Sequence, residues 1–210
     1  MLTYDAAEAV RHLRSRDREL ARLIKRVGAF ELRGHSYPTP FHALFSAIIS
    51  QQLSGKAAHS IYQRTRTLFP RGRITVPAVL GARPDALREA GLSRAKIAAV
   101  HDLAAKYADG MLPDARRMRA LSDDEIVDAL TGVRGVGRWT VEMLLIFHLG
   151  RPDVLPVGDL GVRKGFRNTY RRRELPTEKQ LTAHGERWRP YRSVAAWYMW
   201  RAADLEAPRS

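Results

Sequence analysis

The chain has 210 residues, 45% of them hydrophobic and 28% charged, with 36 Lys and Arg against 22 Asp and Glu, a net charge of +14. That is enough chain for one large domain or two small lobes in an ordinary globular composition. There is no cysteine, which excludes disulfides, zinc ribbons, iron–sulfur clusters and thiol catalysis.

The charge points to a partner. Thirty of the 36 cations are Arg and six are Lys. The planar Arg fork suits phosphate, so a basic, Arg-rich surface favours a polyanion, and nucleic acid is the obvious one. A GC-rich coding preference would account for the ratio of Arg to Lys, but not for the excess over acids. No apolar run approaches the roughly 20 residues of a membrane span. The opening segment carries Asp5 and Glu8 and has no signal-peptide apolar region. The expectation is a cytoplasmic, nucleoid-associated protein of bacterial type, without membrane contact.

Helical periodicity runs through nearly the whole chain. Val10, Leu13, Leu20, Leu23, Ile24 and Val27 fall on one face of a first helix. Tyr37-Pro38-Thr39-Pro40 stops it, and Thr39 can cap the next helix with Pro40 at its first position. Phe41, Leu44, Phe45, Ile48 and Ile49 make that helix strongly apolar, and Gln51-Gln52-Leu53-Ser54-Gly55 ends it in a polar turn. A further helix carries Ala57, Ala58, Ile61, Leu68 and Phe69. Short helices follow near Pro77 to Leu80 and from Pro84 to Ala90, the second closed by Gly91. Ser93 opens a helix with Ile97, Val100, Leu103 and Ala104 facing inward. Ser122 with Glu125, and Thr177 with Gln180, form capping boxes. No useful period-2 stretch appears, so the pattern predicts an all-α protein of about ten helices. The proline loops near 37–40 and 152–156 are the expected lobe boundaries.

One segment carries most of the chemistry. Gly132-Val133-Arg134-Gly135-Val136-Gly137 sits between a capped helix and an apolar one. Three glycines permit positive φ and close backbone approach. Amides at a helix N-terminus then form an anion site that reads a phosphate without reading a base. On its own such a turn could equally be a tight helix–helix connection. An aspartate follows 20 positions after Trp139, behind a proline loop, in Leu155-Pro156-Val157-Gly158-Asp159. Asp is also a common N-cap, so in isolation Asp159 could be only that.

Taken together, Leu-x-Gly-Val-x-Gly-Val-Gly-x-x-Thr and the Gly/Pro/Asp loop resemble the helix–hairpin–helix signature of the base-excision DNA glycosylase superfamily. Gly137-Arg138-Trp139-Thr140 resembles its alkylbase branch, typified by bacterial 3-methyladenine DNA glycosylase II. Ala47-Ile48-Ile49-Ser50-Gln51-Gln52-Leu53-Ser54 and Trp188-Arg189-Pro190-Tyr191-Arg192-Ser193 resemble two further segments of that branch. The likeness covers about residues 38–205. It implies a two-lobed all-α fold with an inter-lobe active-site cleft. The lobes would be 1–36 with 150–210, and 37–149, the second ending in the hairpin at about 123–149. The compact form is implied, without the N-terminal β-containing lobe of some members.

The resemblance also implies roles. Asp159 is the catalytic aspartate. N-glycosidic cleavage passes through an oxocarbenium-like state, and a carboxylate beside the sugar stabilises that charge or orients water. Lyase-competent branches place a nucleophilic lysine where Trp139 stands, and Lys164 does not match that position, so a monofunctional enzyme using water is implied. Trp139 and Trp200 are pocket walls, since an indole face attracts a cationic methylated base; either could instead be core. Tyr191 is a weaker pocket candidate. Met143 and Leu160 replace aromatic residues of the usual pocket, which suggests a wider, less stacked site. Gln52 or Leu53 is the wedge that enters the duplex when the base leaves. Gly135, Gly137 and Thr140 would bind a phosphate through their amides, with Arg138 beside them. The carbonyls of Thr131, Val133 and Val136 would form a Na+ or K+ site. No other metal or cofactor is expected. His148 reads as a core histidine, and Arg171-Arg172-Arg173 as either a solvated face or a DNA contact. The implied partner is duplex DNA with alkylated bases, bound by a monomer. Glycosylases for other damaged bases and a non-catalytic DNA-binding hairpin protein are the alternatives.

Overall fold

The structure, a computed structural model, describes residues 2–32 and 37–205. Residue 36, the expected edge of the first lobe, lies outside the described residues. No β-strand occurs among them, and no helix is long and apolar enough to cross a membrane. The fold is all-α. In chain order the helices are α1 (Ala6–Arg16), α2 (Arg18–Val27), α3 (Pro40–Ser50), α4 (Gly55–Thr67), α5 (Val76–Leu80), α6 (Pro84–Glu89), α7 (Arg94–Ala108), α8 (Ala115–Ala120), α9 (Asp123–Thr131), α10 (Arg138–Phe147), α11 (Leu160–Thr169), α12 (Glu178–Gly185) and α13 (Arg192–Leu205). Single-turn 3-10 helices lie at Pro70–Gly72 and Glu186–Trp188.

The chain divides into two compact units. One joins Met1–Gly34 to Leu145–Ser210, and the other is His35–Leu144, the division falling inside α10. In the first unit α11 and α13 pack side by side and α1 and α2 lie against α13. Its core holds Leu13, Leu20, Val162, Phe166, Leu181, Trp188, Tyr198 and Met199, all fully buried. Gly165 makes the α11–α13 approach possible: a Cβ there would lie 1.8 Å from the Met199 carbonyl oxygen.

In the second unit α7 packs on α3 and α5, and α3 on α4. Phe45, Ile48, Leu87, Val100, Leu103, Met118, Ile126 and Leu130 are buried there. Thr39 caps α3 with Pro40 at its first position, and both expected capping boxes form, at Ser122–Glu125 and Thr177–Gln180. Gly91 closes the α6 turn at φ +108°.

The first apolar stripe is two helices and not one. Asp17 ends α1 and starts α2, its Oδ1 accepting the Glu19 and Leu20 amides at 3.1 Å each. The side-chain bonds compete with helix continuation, which is why Asp favours caps over helix interiors. Oδ2 of the same carboxylate accepts from Tyr170 Oη (2.6 Å) and Trp188 Nε1 (3.0 Å) and lies 3.0 Å from His184 Nε2. Burial alone would raise this carboxyl's pKa, but the hydrogen bonds from His184, Tyr170, the Leu20 amide and Trp188 outweigh it and hold it well below the usual carboxylate range.

Candidate active site

In the first unit the proline loop delivers Asp159. The Asp159 amide donates to the Pro156 carbonyl (3.0 Å) and the Val157 amide to Leu155 (2.9 Å), so the loop is a tight turn entering α11. Asp159 is the N-cap of α11, its Oδ1 accepting the Val162 amide at 2.8 Å. The same oxygen accepts the Trp200 indole N–H at 2.8 Å. One oxygen thus fixes the side chain, and Asp159 stays partly exposed.

Trp200 is held from two sides. Its indole stacks on Phe147 with centroids 5.5 Å apart at 27°. Gly161 lets it reach Asp159, since a Cβ at 161 would lie 2.8 Å from Trp200 Cδ1 and 3.1 Å from Asp159 Oδ1. Phe147, Trp197 and Trp200 line a cavity of about 610 Å³ that Glu31, Leu32 and Arg201 also border. That volume lies in the ~300–1,000 Å³ range of small-ligand pockets. Leu160 is 52% exposed. Tyr191 packs its ring on Tyr4 (6.1 Å) and His12 (5.4 Å), on the α1 side of the unit. His148 is only partly buried.

The loop before Asp159 is braced by the Trp188–Ser193 segment. Arg192 forks onto Asp153, Nε to Oδ1 at 2.7 Å and Nη2 to Oδ2 at 3.1 Å. Arg189 Nη1 reaches Asp153 Oδ2 at 2.7 Å. Ser193 Oγ donates to the Arg151 carbonyl (2.7 Å) and accepts the Val154 amide (2.9 Å). Bidentate Arg–carboxylate pairing of this kind fixes geometry as well as adding energy.

In the second unit the hairpin turn joins α9 to α10. Gly135 takes φ +74°, the left-handed region that favours glycine. The Val133 amide bonds Leu130 and the Val136 amide bonds Val133, at 3.1 and 3.0 Å. The Thr140 amide, expected as a third phosphate donor, closes the first turn of α10 onto the Gly137 carbonyl at 3.0 Å. Gly135 and Gly137 are exposed, and neither amide donates a hydrogen bond among the described residues. Arg138 is largely exposed and lies 3.8 Å from Asp124 and 4.0 Å from Glu142, at the limit of ion pairing. Trp139 is 48% exposed, so it is not a core residue, and Met143 is half-buried.

The Gln51–Leu53 turn belongs to the same unit. Gln52 adopts φ +58° and Leu53 is 36% exposed. Gln51 Nε2 donates to the Gly135 carbonyl at 2.9 Å, which joins this turn directly to the hairpin. Thus Gln51 ties the turn that carries Gln52 and Leu53 to Gly135 and Thr140, while Asp159, Trp200 and Leu160 lie in the other unit.

Several contributing residues had no role in the sequence reading. Phe147 sits four positions after Met143 on one helix face, a spacing that could have flagged it. Asp153, Arg192 and Ser193 are paired across about 40 positions, which no local pattern shows. No group of three or more His, Cys, Asp or Glu side chains placed to hold a metal ion occurs among the described residues.

Residues 45–190 match the profile of the HhH-GPD superfamily base excision DNA repair proteins. The chain is 36% identical over 196 residues to DNA-3-methyladenine glycosylase 1 of Schizosaccharomyces pombe, covering 92% of this chain and 86% of that one. Among solved structures it is similar to S. pombe 3-methyladenine DNA glycosylase (Mag1) in complex with abasic DNA, with a TM-score of 0.87, 35% identity and coverage of 97% and 100%. It is also similar to DNA-3-methyladenine glycosidase from Bacillus halodurans, with a TM-score of 0.85, 35% identity and coverage of 93% and 88%. The chain belongs to the HhH-GPD superfamily of base excision DNA repair proteins.

Proposed function

We propose that the protein is a monofunctional DNA glycosylase that hydrolyses the N-glycosidic bond of alkylated bases, of the 3-methyladenine and 7-methylguanine type, in duplex DNA. The observation that carries this is the Asp159 carboxylate, fixed at the N-terminus of α11 by the Val162 amide and the Trp200 indole. Trp200 is at the same time a wall of an aromatic-lined cavity. A carboxylate and an electron-rich ring side by side suit the two halves of the substrate. The ring attracts the cationic base, and the carboxylate stabilises positive charge growing on the sugar or orients the attacking water. A ring-alkylated base is already a good leaving group, so little general-acid help is required. The names of the related proteins from S. pombe and B. halodurans support the alkylbase reading.

The target nucleotide leaves the stack, and Gln52 or Leu53 fills the gap. Gly135 and Gly137 amides hold a backbone phosphate, with Arg138 beside them. Trp139 occupies the place of a lyase nucleophile and offers no amine. The carbonyls of Thr131, Val133 and Val136 are neutral oxygens of the kind that replace the hydration shell of a monovalent cation. Val133 already accepts the Val136 amide at 3.0 Å, so a cation would share that oxygen's second lone pair. Such an ion would help hold the hairpin at a phosphate.

A panel of duplexes, each with one defined lesion, tests the reading through base release. Alkylated purines should be released without strand cleavage and without a borohydride-trapped protein–DNA adduct. Release of only deaminated or oxidised bases, a trapped adduct, or no release from any lesion would each contradict it.

A further inference from the structure

Helix α7 touches both the Gln51–Leu53 turn and the 134–137 hairpin turn of the second unit. Near its start, Lys96 Nζ donates to the carbonyls of Ile49 (2.6 Å) and Gln51 (2.9 Å). Those carbonyls end α3, where helix geometry leaves them without intrahelical partners and where the dipole favours a cation. One turn on, the Gly135 backbone runs against Ala99; a Cβ at 135 would lie 3.6 Å from that of Ala99. A further turn on, Asp102 Oδ2 accepts the Arg134 amide at 2.7 Å, while Lys106 Nζ holds both Asp102 oxygens at 2.7 Å.

The contacts are more specific than packing requires. Lys96 could extend into water from a half-buried position. Instead its ammonium is spent on two carbonyls, and its pKa is lowered by burial. Burial would raise the pKa of Asp102, but the Arg134 amide and Lys106 more than offset it, and the carboxyl lies below its usual value. The Lys96 contact braces the very segment in which Gln52 takes φ +58°, a conformation that costs a non-glycine residue energy and persists only when its surroundings hold it.

We propose that α7 is the strut that sets the Gln51–Leu53 turn against the 134–137 hairpin, with Lys96 and Asp102 as positioning residues at its two ends and Gln51 as the direct tie. The inference rests on the reading of those two segments as duplex wedge and phosphate grip. Residues 96 and 102 are about 9 Å apart along the helix axis, at 1.5 Å per residue. A rigid element of that length makes gripping and wedging one event: the wedge enters the stack at a fixed offset from the held phosphate. If the strut loosens, the phosphate is still bound but the wedge is misplaced.

The test compares wild type with Lys96→Met, Lys96→Arg and Gln51→Ala on two substrates under single-turnover conditions. One carries 7-methylguanine fully paired; the other carries it in a single-nucleotide bulge, where pairing is already lost and extrusion costs less. A 2-aminopurine beside the lesion reports unstacking independently of bond cleavage. Lys96→Met should slow release from the paired duplex by about ten- to a hundredfold, the loss of one or two charge-assisted hydrogen bonds. Release from the bulge should change little, the concentration giving half the maximal single-turnover rate should hold, and the 2-aminopurine rise should shrink on the paired duplex alone. Lys96→Arg should restore most of the rate. Gln51→Ala should show the same substrate split more weakly, and it carries the test if Lys96→Met yields no folded protein. Equal losses on both substrates, or none on either, would overturn the strut. A wild type that unstacks 2-aminopurine and releases no base would defeat the glycosylase reading while leaving the strut to be judged on the fluorescence.

Discussion

In the proposed mechanism one contact, that of Asp159 with Trp200, serves structure and chemistry together. The shared Oδ1 accepts both the Val162 amide and the Trp200 indole, at 2.8 Å each. Trp200→Phe keeps an aromatic ring for Phe147 to stack on and removes only the N–H donor. A hydrogen bond to a charged group is worth about 1.5–3 kcal/mol, so the variant should lose about ten- to a hundredfold in single-turnover base release. Loss of fold, read by thermal melting, is not expected; an unchanged rate would show that the indole N–H does not orient the carboxylate. The N-cap place of Asp159 was legible in its loop, and only the family resemblance singled it out for chemistry. Its partner Trp200 was legible as a ring, but the bond between them spans 41 positions and leaves no periodic trace. Thr140 marks the opposite limit: its place in the motif was readable, but whether its amide faced a ligand or the Gly137 carbonyl depended on the turn's actual geometry.

At the scale of elements, caps were the readable part and tertiary brackets were not. Thr39, Ser122 and Thr177 each announce a helix start through their own side-chain chemistry. The Asp17 break escaped because the apolar stripe continues in phase through it, and periodicity is blind to a one-residue interruption. What holds that break is a buried carboxylate with donors from the Tyr170, His184 and Trp188 side chains. Asp17→Ala removes a cap worth about 1 kcal/mol and strands buried donors at about 1–3 kcal/mol each. The variant should therefore lose about 4 kcal/mol or more in urea unfolding. The sign with pH follows from the lowered folded pKa. Asp17 contributes its stability above the unfolded value near 4, and that contribution is lost as pH falls from there toward the lower folded pKa. Wild-type stability should fall steeply with acid below about pH 4, and Asp17→Ala should show a shallower fall. A parallel pair of curves would remove Asp17 from the account.

For the whole molecule, composition named the partner class and left the reaction open. A net charge of +14 supplies sequence-independent, salt-dependent attraction to phosphate, which lets a repair protein search undamaged DNA. It does not distinguish a glycosylase from an inert hairpin protein. In the proposed mechanism that distinction rests on Asp159, held at the α11 N-terminus in the unit that also carries the Phe147–Trp200 stack. The most direct measurement is single-turnover release of 3-methyladenine from duplex DNA by Asp159→Asn, beside a binding isotherm on the same DNA. The amide can still cap α11, so fold and affinity should hold. Release should fall by about a hundred- to a thousandfold, the scale of removing one preorganised electrostatic group. Release at the wild-type rate would contradict the mechanism.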